Sequence, residues 1–294
     1  MNIEKFLVPE NSKLKLSDHE TDFTGDYTEK KQAEKDLQKN IEKLSELQDV
    51  LYADNRHALL IILQAMDAAG KDGAIKHVMS GLNPQGVHVS SFKQPSAEEL
   101  DHDYLWRSMK QLPEHGRIGI FNRSYYEDVL IVRVHPQILQ GKQLPEKIKS
   151  DKNIWQKRFE QIRNFETYLA ENGIHTLKFF LNVSKDEQKE RFLARINTPE
   201  KNWKFSAADA KERKFWDEYM KAYRDAIENT STKNAPWYII PADNKWFSRL
   251  VISEIIVKKL KSLNLEYPTV SEAHLESLQE AKAMLEAEGQ NGER

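Results

Sequence analysis

The sequence predicts an α/β protein with a parallel sheet and a phosphate-binding turn at the carboxyl end of its first core strand. Three observations carry this. Five short apolar segments alternate with longer stretches of helical spacing, the pattern of strands joined by helical crossovers. The first, Ala58–Met66 (ALLIILQAM), is a nearly continuous apolar run, as expected of a strand covered on both faces. Directly after it comes Gly70-Lys71, followed by helical sequence.

The remaining strand segments are Val87–Phe92, Ile118–Phe121, Thr176–Leu181 and Trp237–Ile240. Residues 1–28 are polar and aperiodic and read as an arm lying on the surface. From Glu29 to Leu51, Ala33, Leu37, Ile41, Leu44, Leu47 and Leu51 recur at helical spacing. That stripe suits core packing better than a dimer contact. Further helices are expected over Ala97–Leu112, around Trp155–Leu169, and over Lys185–Ile196, Ala207–Asn229 and Phe247–Leu263. Residues 269–294 read as one more helix, Ser271–Glu288, with a frayed GQNGER end. No repeat or second core is visible, so one catalytic domain over residues 29–268 is expected.

In the stretch Gln64–Gly73, a strand passes through a Gly-containing turn into a helix. Such a turn aims backbone N–H groups at one point, and the helix adds its positive dipole end there. Ala68, Ala69, Gly70, Asp72 and Gly73 are therefore candidate phosphate-binding residues, with Lys71 reaching phosphate oxygens as in GxxxxGK[ST]. The match is imperfect, because Ala65 replaces the first Gly and Asp72 the usual Ser or Thr. Asp67 faces the ligand crevice of such a sheet. Taken alone, it serves equally as a turn cap or as a Mg²⁺ ligand beside phosphates.

The third strand runs into Asn122-Arg123-Ser124-Tyr125-Tyr126-Glu127-Asp128. In P-loop enzymes a neighbouring strand end supplies the second metal-facing group, so Asn122 is the other candidate metal ligand. Arg123 suits a transferring phosphoryl group, since its planar fork binds bidentately and keeps its charge. Glu127 joins the catalytic candidates. Its ordinary role, like that of Asp128, is to complement the dipole of a following helix.

The formal net charge is −2, so no global basic field of the nucleic-acid-binding kind exists, and a polyanion would need a local cationic cluster. The absence of cysteine excludes disulfides, thiolate zinc sites and a Cys nucleophile, and it fits a cytoplasmic protein. No apolar run approaches the roughly 18 residues of a membrane span. The histidines are scattered without metal-site spacing, and no GxSxG elbow is present.

Together the two motifs resemble polyphosphate kinase family 2. The likeness extends through GLNPQGV (Gly81–Val87), Ser91–Arg107, Ile120–Pro136, Lys201–Arg213 and Thr230–Leu250, covering roughly residues 26–268. The resemblance implies a three-layer α/β/α sandwich, a P-loop kinase fold similar to thymidylate kinase, with a five-stranded parallel sheet and a helical lid over about 187–213. It implies Mg²⁺-dependent transfer (Mn²⁺ as a substitute) between inorganic polyphosphate and AMP, ADP and ATP, and a homodimer or homotetramer. The family's phosphate-loop acid and lysine fall on Asp67 and Lys71, and its Asp-Arg motif is spelled Asn122-Arg123 here. Asn followed by Glu-Asp resembles the subgroup called class III, which accepts nucleoside mono- and diphosphates.

On that reading Arg191 and Arg195, four apart on one helix face, close over phosphates as lid arginines. Lys204 and Lys201 follow them in the lid, and Lys76, Lys93 and Arg133 extend a polyphosphate track. Trp106, Tyr126, Trp203, Phe205 and Trp246 are too many to single out one that stacks on a base. The residues alone fit an ATP-dependent nucleoside monophosphate kinase equally well. Only the resemblance selects polyphosphate as donor.

Overall fold

The strand Ala58–Gln64 is buried at every position because it lies in the middle of the sheet, hydrogen-bonded on both edges. The computed structural model describes residues 1–290, apart from the side chains of residues 204, 289 and 290. Its strands are β1 (Leu7–Val8), β2 (Ala58–Gln64), β3 (Val87–Ser91), β4 (Ile118–Asn122), β5 (Ile174–Asn182) and β6 (Trp237–Pro241). Their order is β1-β6-β5-β2-β4-β3. All neighbours run parallel except β1, which is antiparallel on β6 through Leu7↔Tyr238 and Val8↔Trp237.

The sheet therefore has six strands rather than the five expected, and residues 1–28 do not merely lie on the surface. Ile3, Phe6, Val8 and Leu14 are buried, and the rings of Phe6 and Phe23 meet Phe247 edge-on. A two-residue strand is too short to show periodicity. What recruits it is the open edge of β6, whose backbone groups take a partner.

Helix α1 (Lys30–Asp54) buries Ala33, Leu37, Ile41, Leu44 and Leu51, so the predicted stripe is a core face. It packs along the helix Lys245–Lys261, which in turn packs on α2 (Lys71–Val78). Lys245–Lys261 buries Phe247, Leu250, Val251, Ile252, Ile255, Ile256, Val257 and Leu260, as a helix held between α1 and the sheet must. The other layer holds Ile154–Glu171 on β5 and Trp216–Thr230 against it.

Two expected helices are broken. Ala97–Leu112 divides into Ala97–Leu100 and Trp106–Met109, because the Asp103 carboxylate accepts from Leu105 N at 2.9 Å and closes a turn between them. Ala207–Asn229 divides at a 3₁₀ turn, Arg213–Phe215, into Ala207–Glu212 and Trp216–Thr230. Tyr125–Val129 is also 3₁₀, not the opening of an α-helix. The helix Glu272–Gln290 is present, and the rest of the expected frayed end, residues 291–294, lies outside the described residues. Among the described residues no helix is long and apolar enough to cross a membrane.

Candidate active site

Because β2 and β4 are neighbours in register, with Leu63 opposite Asn122, two loops some fifty-five residues apart in sequence meet at the carboxyl edge of the sheet. Arg123 N donates to Leu63 O at 3.0 Å, carrying the pairing one step beyond the strands. The loop after β2 turns into α2 through Gly70, at φ 116°, a conformation only glycine adopts readily. Ala68 (φ 62°) and Arg123 (φ 65°) also have left-handed backbones. Non-glycine residues keep that geometry only where their surroundings hold it.

Lys71, the first residue of α2, is buried, and its ammonium donates to Ala65 O at 3.0 Å and Met66 O at 3.4 Å. Burial, and then the Arg123 charge, lower its pKa from 10.5 to about 8. Arg123 Nη2 donates to Asp67 Oδ1 at 2.6 Å and lies 4.0 Å from Glu127 through Nη1. Asn122 Nδ2 donates to Asp72 Oδ1 at 2.8 Å. Behind them, the Gln64 amide turned with its nitrogen to Glu127 Oε1 (2.9 Å) accepts from Ser124 N and Oγ, both at 3.1 Å. Burial raises the Glu127 pKa, opposed by Arg123 and Lys71.

These groups open into a cleft of about 820 Å³. Among the described residues its lining carries eight cationic side chains, Lys71, Lys93, Arg123, Arg191, Arg195, Lys201, Lys245 and Arg249, against the carboxylates Asp67, Asp72 and Asp209. A chain of net charge −2 thus concentrates positive charge at one edge of its sheet. Phe92 is the aromatic member of the lining. Trp106, Tyr126, Trp203, Phe205 and Trp246, the stacking candidates, do not line it.

The predicted site residues divide. Asp67, Ala68, Gly70, Lys71, Asp72, Gly73, Asn122, Arg123 and Arg195 line the cleft, as do Lys93 and Lys201. Ala69 and Glu127 stand just behind it, in contact with Arg191 and Arg123 respectively. Lys76 is exposed on α2 outside the lining. Arg133 also stays out, because Asp225 Oδ2 takes its Nη2 at 2.6 Å. The Lys204 side chain lies outside the described residues.

Arg191 reaches the cleft wall, but not as a free lid arginine. Nε donates to Glu187 Oε1 (2.7 Å), Nη1 to Ala68 O (3.0 Å) and Ala69 O (2.7 Å), and Nη2 to Ala242 O (2.6 Å) and Asp243 O (2.9 Å). These bonds use all five N–H donors of a guanidinium. Arg191 therefore braces the loop instead of offering hydrogen bonds to a phosphate.

Lys245 and Arg249 escaped the sequence reading. They stand one turn apart at the start of the helix after β6, on the cleft side. Burial first, and then Arg191, hold Lys245 below the usual lysine value, and burial lowers Arg249 likewise. The available signal was their place directly beyond a parallel strand's carboxyl end, where ligands of open α/β sheets bind.

Among the described residues no group of three or more His, Cys, Asp and Glu forms a metal cage. Asp67 and Asp72 offer carboxylate oxygens, and Asn122, whose amide nitrogen is spent on Asp72, offers its carbonyl oxygen. This small set of hard donors fits a Mg²⁺ or Mn²⁺ ion, which takes one or two protein carboxylates and fills its remaining positions from phosphates and water.

A parallel sheet, a Gly-Lys turn into a helix, and a cationic cleft at the sheet's carboxyl edge define a phosphotransferase of P-loop kinase-like fold. The chain belongs to the polyphosphate kinase 2 family, whose model matches residues 27–268. It is 52% identical over 282 residues to an ADP-polyphosphate phosphotransferase of Rhodopseudomonas palustris, covering 96% of this chain and 98% of that one. An AMP/ADP-polyphosphate phosphotransferase of Meiothermus ruber is 44% identical over 270 residues, covering 90% and 96%. The crystal structure of polyphosphate kinase 2 from Arthrobacter aurescens TC1 superposes with a TM-score of 0.84 at 40% identity, covering 94% of this chain and 95% of that one.

Proposed function

We propose that this enzyme transfers the terminal phosphoryl group of inorganic polyphosphate to AMP and ADP, forming ADP and ATP, or runs the reverse reaction, with Mg²⁺ as its metal. The observation that carries the reading is the cleft's charge. Among the described residues, eight cations face three carboxylates, and the lining's one aromatic is Phe92. A donor without a base needs charge along its length rather than stacking. This favours polyphosphate over the rival reading of an ATP-dependent monophosphate kinase, which must seat two bases. The printed activities of the Rhodopseudomonas and Meiothermus relatives support the donor, and the second supports AMP as an acceptor.

In this reading the loop amides around Gly70 and the Lys71 ammonium hold donor phosphates. Arg123 turns its guanidinium from Asp67 toward the transferring group, neutralising charge that develops on its oxygens. Asp67 and Asn122 Oδ1 hold the metal, which when bound screens donor and acceptor phosphates from each other. An oxygen of the acceptor phosphate attacks the terminal phosphorus in line, and the bond to the bridging oxygen breaks. The nucleophile is already an anion, so no general base is required. Glu127 and Gln64 orient Arg123 from behind. Arg195, Lys201, Lys245, Arg249 and Lys93 line the path of the chain. The enzyme is read as a cytoplasmic homodimer or homotetramer.

The test is ATP formation by purified protein with polyphosphate and Mg²⁺, supplied with AMP or ADP. Product from both acceptors is expected. Product from ADP alone removes AMP from the reading, and activity only with ATP as donor overturns it.

A further inference from the structure

The helix Lys185–Ile196 holds the phosphate loop through two buried side chains on one face. Arg191 takes the carbonyls of Ala68 and Ala69. Gln188, 1% exposed, donates from Nε2 to Asp67 O at 2.9 Å. Three consecutive carbonyls are thus pinned by one helix, across a residue, Ala68, whose backbone is left-handed. The other end of Gln188 is also engaged. Its Oε1 accepts from Arg213 Nη1 at 2.6 Å, and the same nitrogen donates to Lys185 O at 2.9 Å. Arg213 opens the 3₁₀ turn where the segment contributing Lys201 and Asp209 to the cleft rejoins the body. The adjacent Glu212 is held by His135 Nε2 and Tyr219 OH, both at 2.9 Å.

We propose that Gln188 is a positioning residue that ties the placement of the 197–213 segment to the Asp67 carboxylate. The geometry admits one amide orientation, because a carbonyl can only accept and a guanidinium can only donate. A buried amide with both ends satisfied favours the arrangement that keeps both. If the segment swings out and takes Arg213 with it, Oε1 is left buried without its donor, a costly state. Relief comes from rotation of the amide, which releases Asp67 O and slackens the loop that aims the carboxylate. The loop is thus held to its working shape when the segment is in place over the cleft. The inference rests on the reading of Asp67 as the metal-holding group.

The variants Gln188→Leu, Gln188→Glu, Arg213→Met and Gln188→Leu/Arg213→Met separate the parts. Gln188→Glu keeps an acceptor for Arg213 but turns an oxygen toward the Asp67 carbonyl. The readouts are kcat, KM for ADP and the Mg²⁺ concentration giving half the maximal rate, with thermal unfolding as a control. We expect Gln188→Leu and Arg213→Met each to lower kcat about tenfold and raise half-saturating Mg²⁺ about tenfold, as small misplacements of a reacting geometry do. KM for ADP should stay within about threefold. The double variant should be no worse than the poorer single one, since both remove one coupled link. Gln188→Glu should match Gln188→Leu, and it carries the measurement if the leucine variant fails to fold.

Unchanged metal saturation in the Gln188 variants, where Asp67→Asn shifts it, overturns the inference, and so do losses that simply add. If Asp67→Asn leaves metal dependence unchanged, the metal reading of Asp67 has failed instead. The coupling between the segment and the loop is then judged by kcat of the double variant alone.

Discussion

The Arg123 guanidinium donates to Asp67 Oδ1 at 2.6 Å, joining the end of β4 to the end of β2 by a contact between the two groups that the proposed function assigns to phosphate and to metal. Each neutralises the other until a ligand arrives. On the proposed reading, ligand binding exchanges this pair for Arg123–phosphate and Asp67–metal contacts.

Arg123→Lys keeps the charge but loses the planar fork and sits at the same left-handed backbone position. kcat should fall about 10²- to 10³-fold, the range found when one donor to developing charge is lost. Steady-state kinetics with saturating polyphosphate measures it. Turnover near that of the parent enzyme would remove Arg123 from the transferring group.

Lys71 has a definite pH signature. With its pKa lowered to about 8 by burial and then by Arg123, it loses its proton in the free enzyme as pH rises through that value. kcat/KM for polyphosphate should therefore decline above about pH 8. The folded value lies below the 10.5 of an ordinary lysine, so the charged form costs stability below pH 8. That cost fades as pH rises from 8 toward 10.5. A bound polyanion offsets it, so polyphosphate should raise the melting temperature more at pH 7 than at pH 9. Lys71→Ala should abolish transfer while leaving the fold intact, as activity and circular dichroism on one preparation would show.

Asn122→Asp should lower AMP use relative to ADP use. Its amide nitrogen now satisfies Asp72 Oδ1 at 2.8 Å. A carboxylate there would face a carboxylate and add negative charge beside the acceptor. An unchanged ratio of the two initial rates would refute this account of acceptor choice.

Lys178 and Glu166 form an ion pair buried at 0% and 1% exposure. Tyr125 OH and Tyr126 OH donate to Glu166 Oε1 at 2.9 and 2.8 Å, so the pair anchors the turn that follows Arg123. Lys178→Met leaves Glu166 uncompensated and should cost about 3–5 kcal/mol. Adding Glu166→Leu should recover part of that loss. Urea unfolding of the single and double variants tests this, and a single variant as stable as the parent would contradict it.

Much of the chain was legible without coordinates, because local signals and topology agreed. The apolar run of β2, the Gly70-Lys71 turn and the stripe Leu37–Leu51 each depend on neighbours in sequence, and all three appear where expected. The strand β1 did not announce itself, since two residues carry no period and their reason for pairing is the bare edge of β6. The breaks at Asp103 and Arg213 were hidden likewise. Helical spacing persists across them, while a side-chain turn at Asp103 and a 3₁₀ turn at Arg213 interrupt the backbone.

The sequence by itself determined the α/β class, the Gly70-Lys71 turn into a helix and the cationic residue types near it, because these follow from periodicity and from short contiguous motifs. Only the tertiary structure decided which cations line the cleft with donors to spare. Arg133 and Arg191 have the right chemistry, but Asp225 engages one, and four backbone carbonyls with the Glu187 carboxylate use every donor of the other. Lys245 and Arg249, with no motif around them, face the cleft because β6 ends there. A side chain's charge is written in its identity. Whether that charge is free for a ligand depends on the neighbours folding brings within about 3 Å, and here all of them but Glu187 lie 51 to 123 residues away.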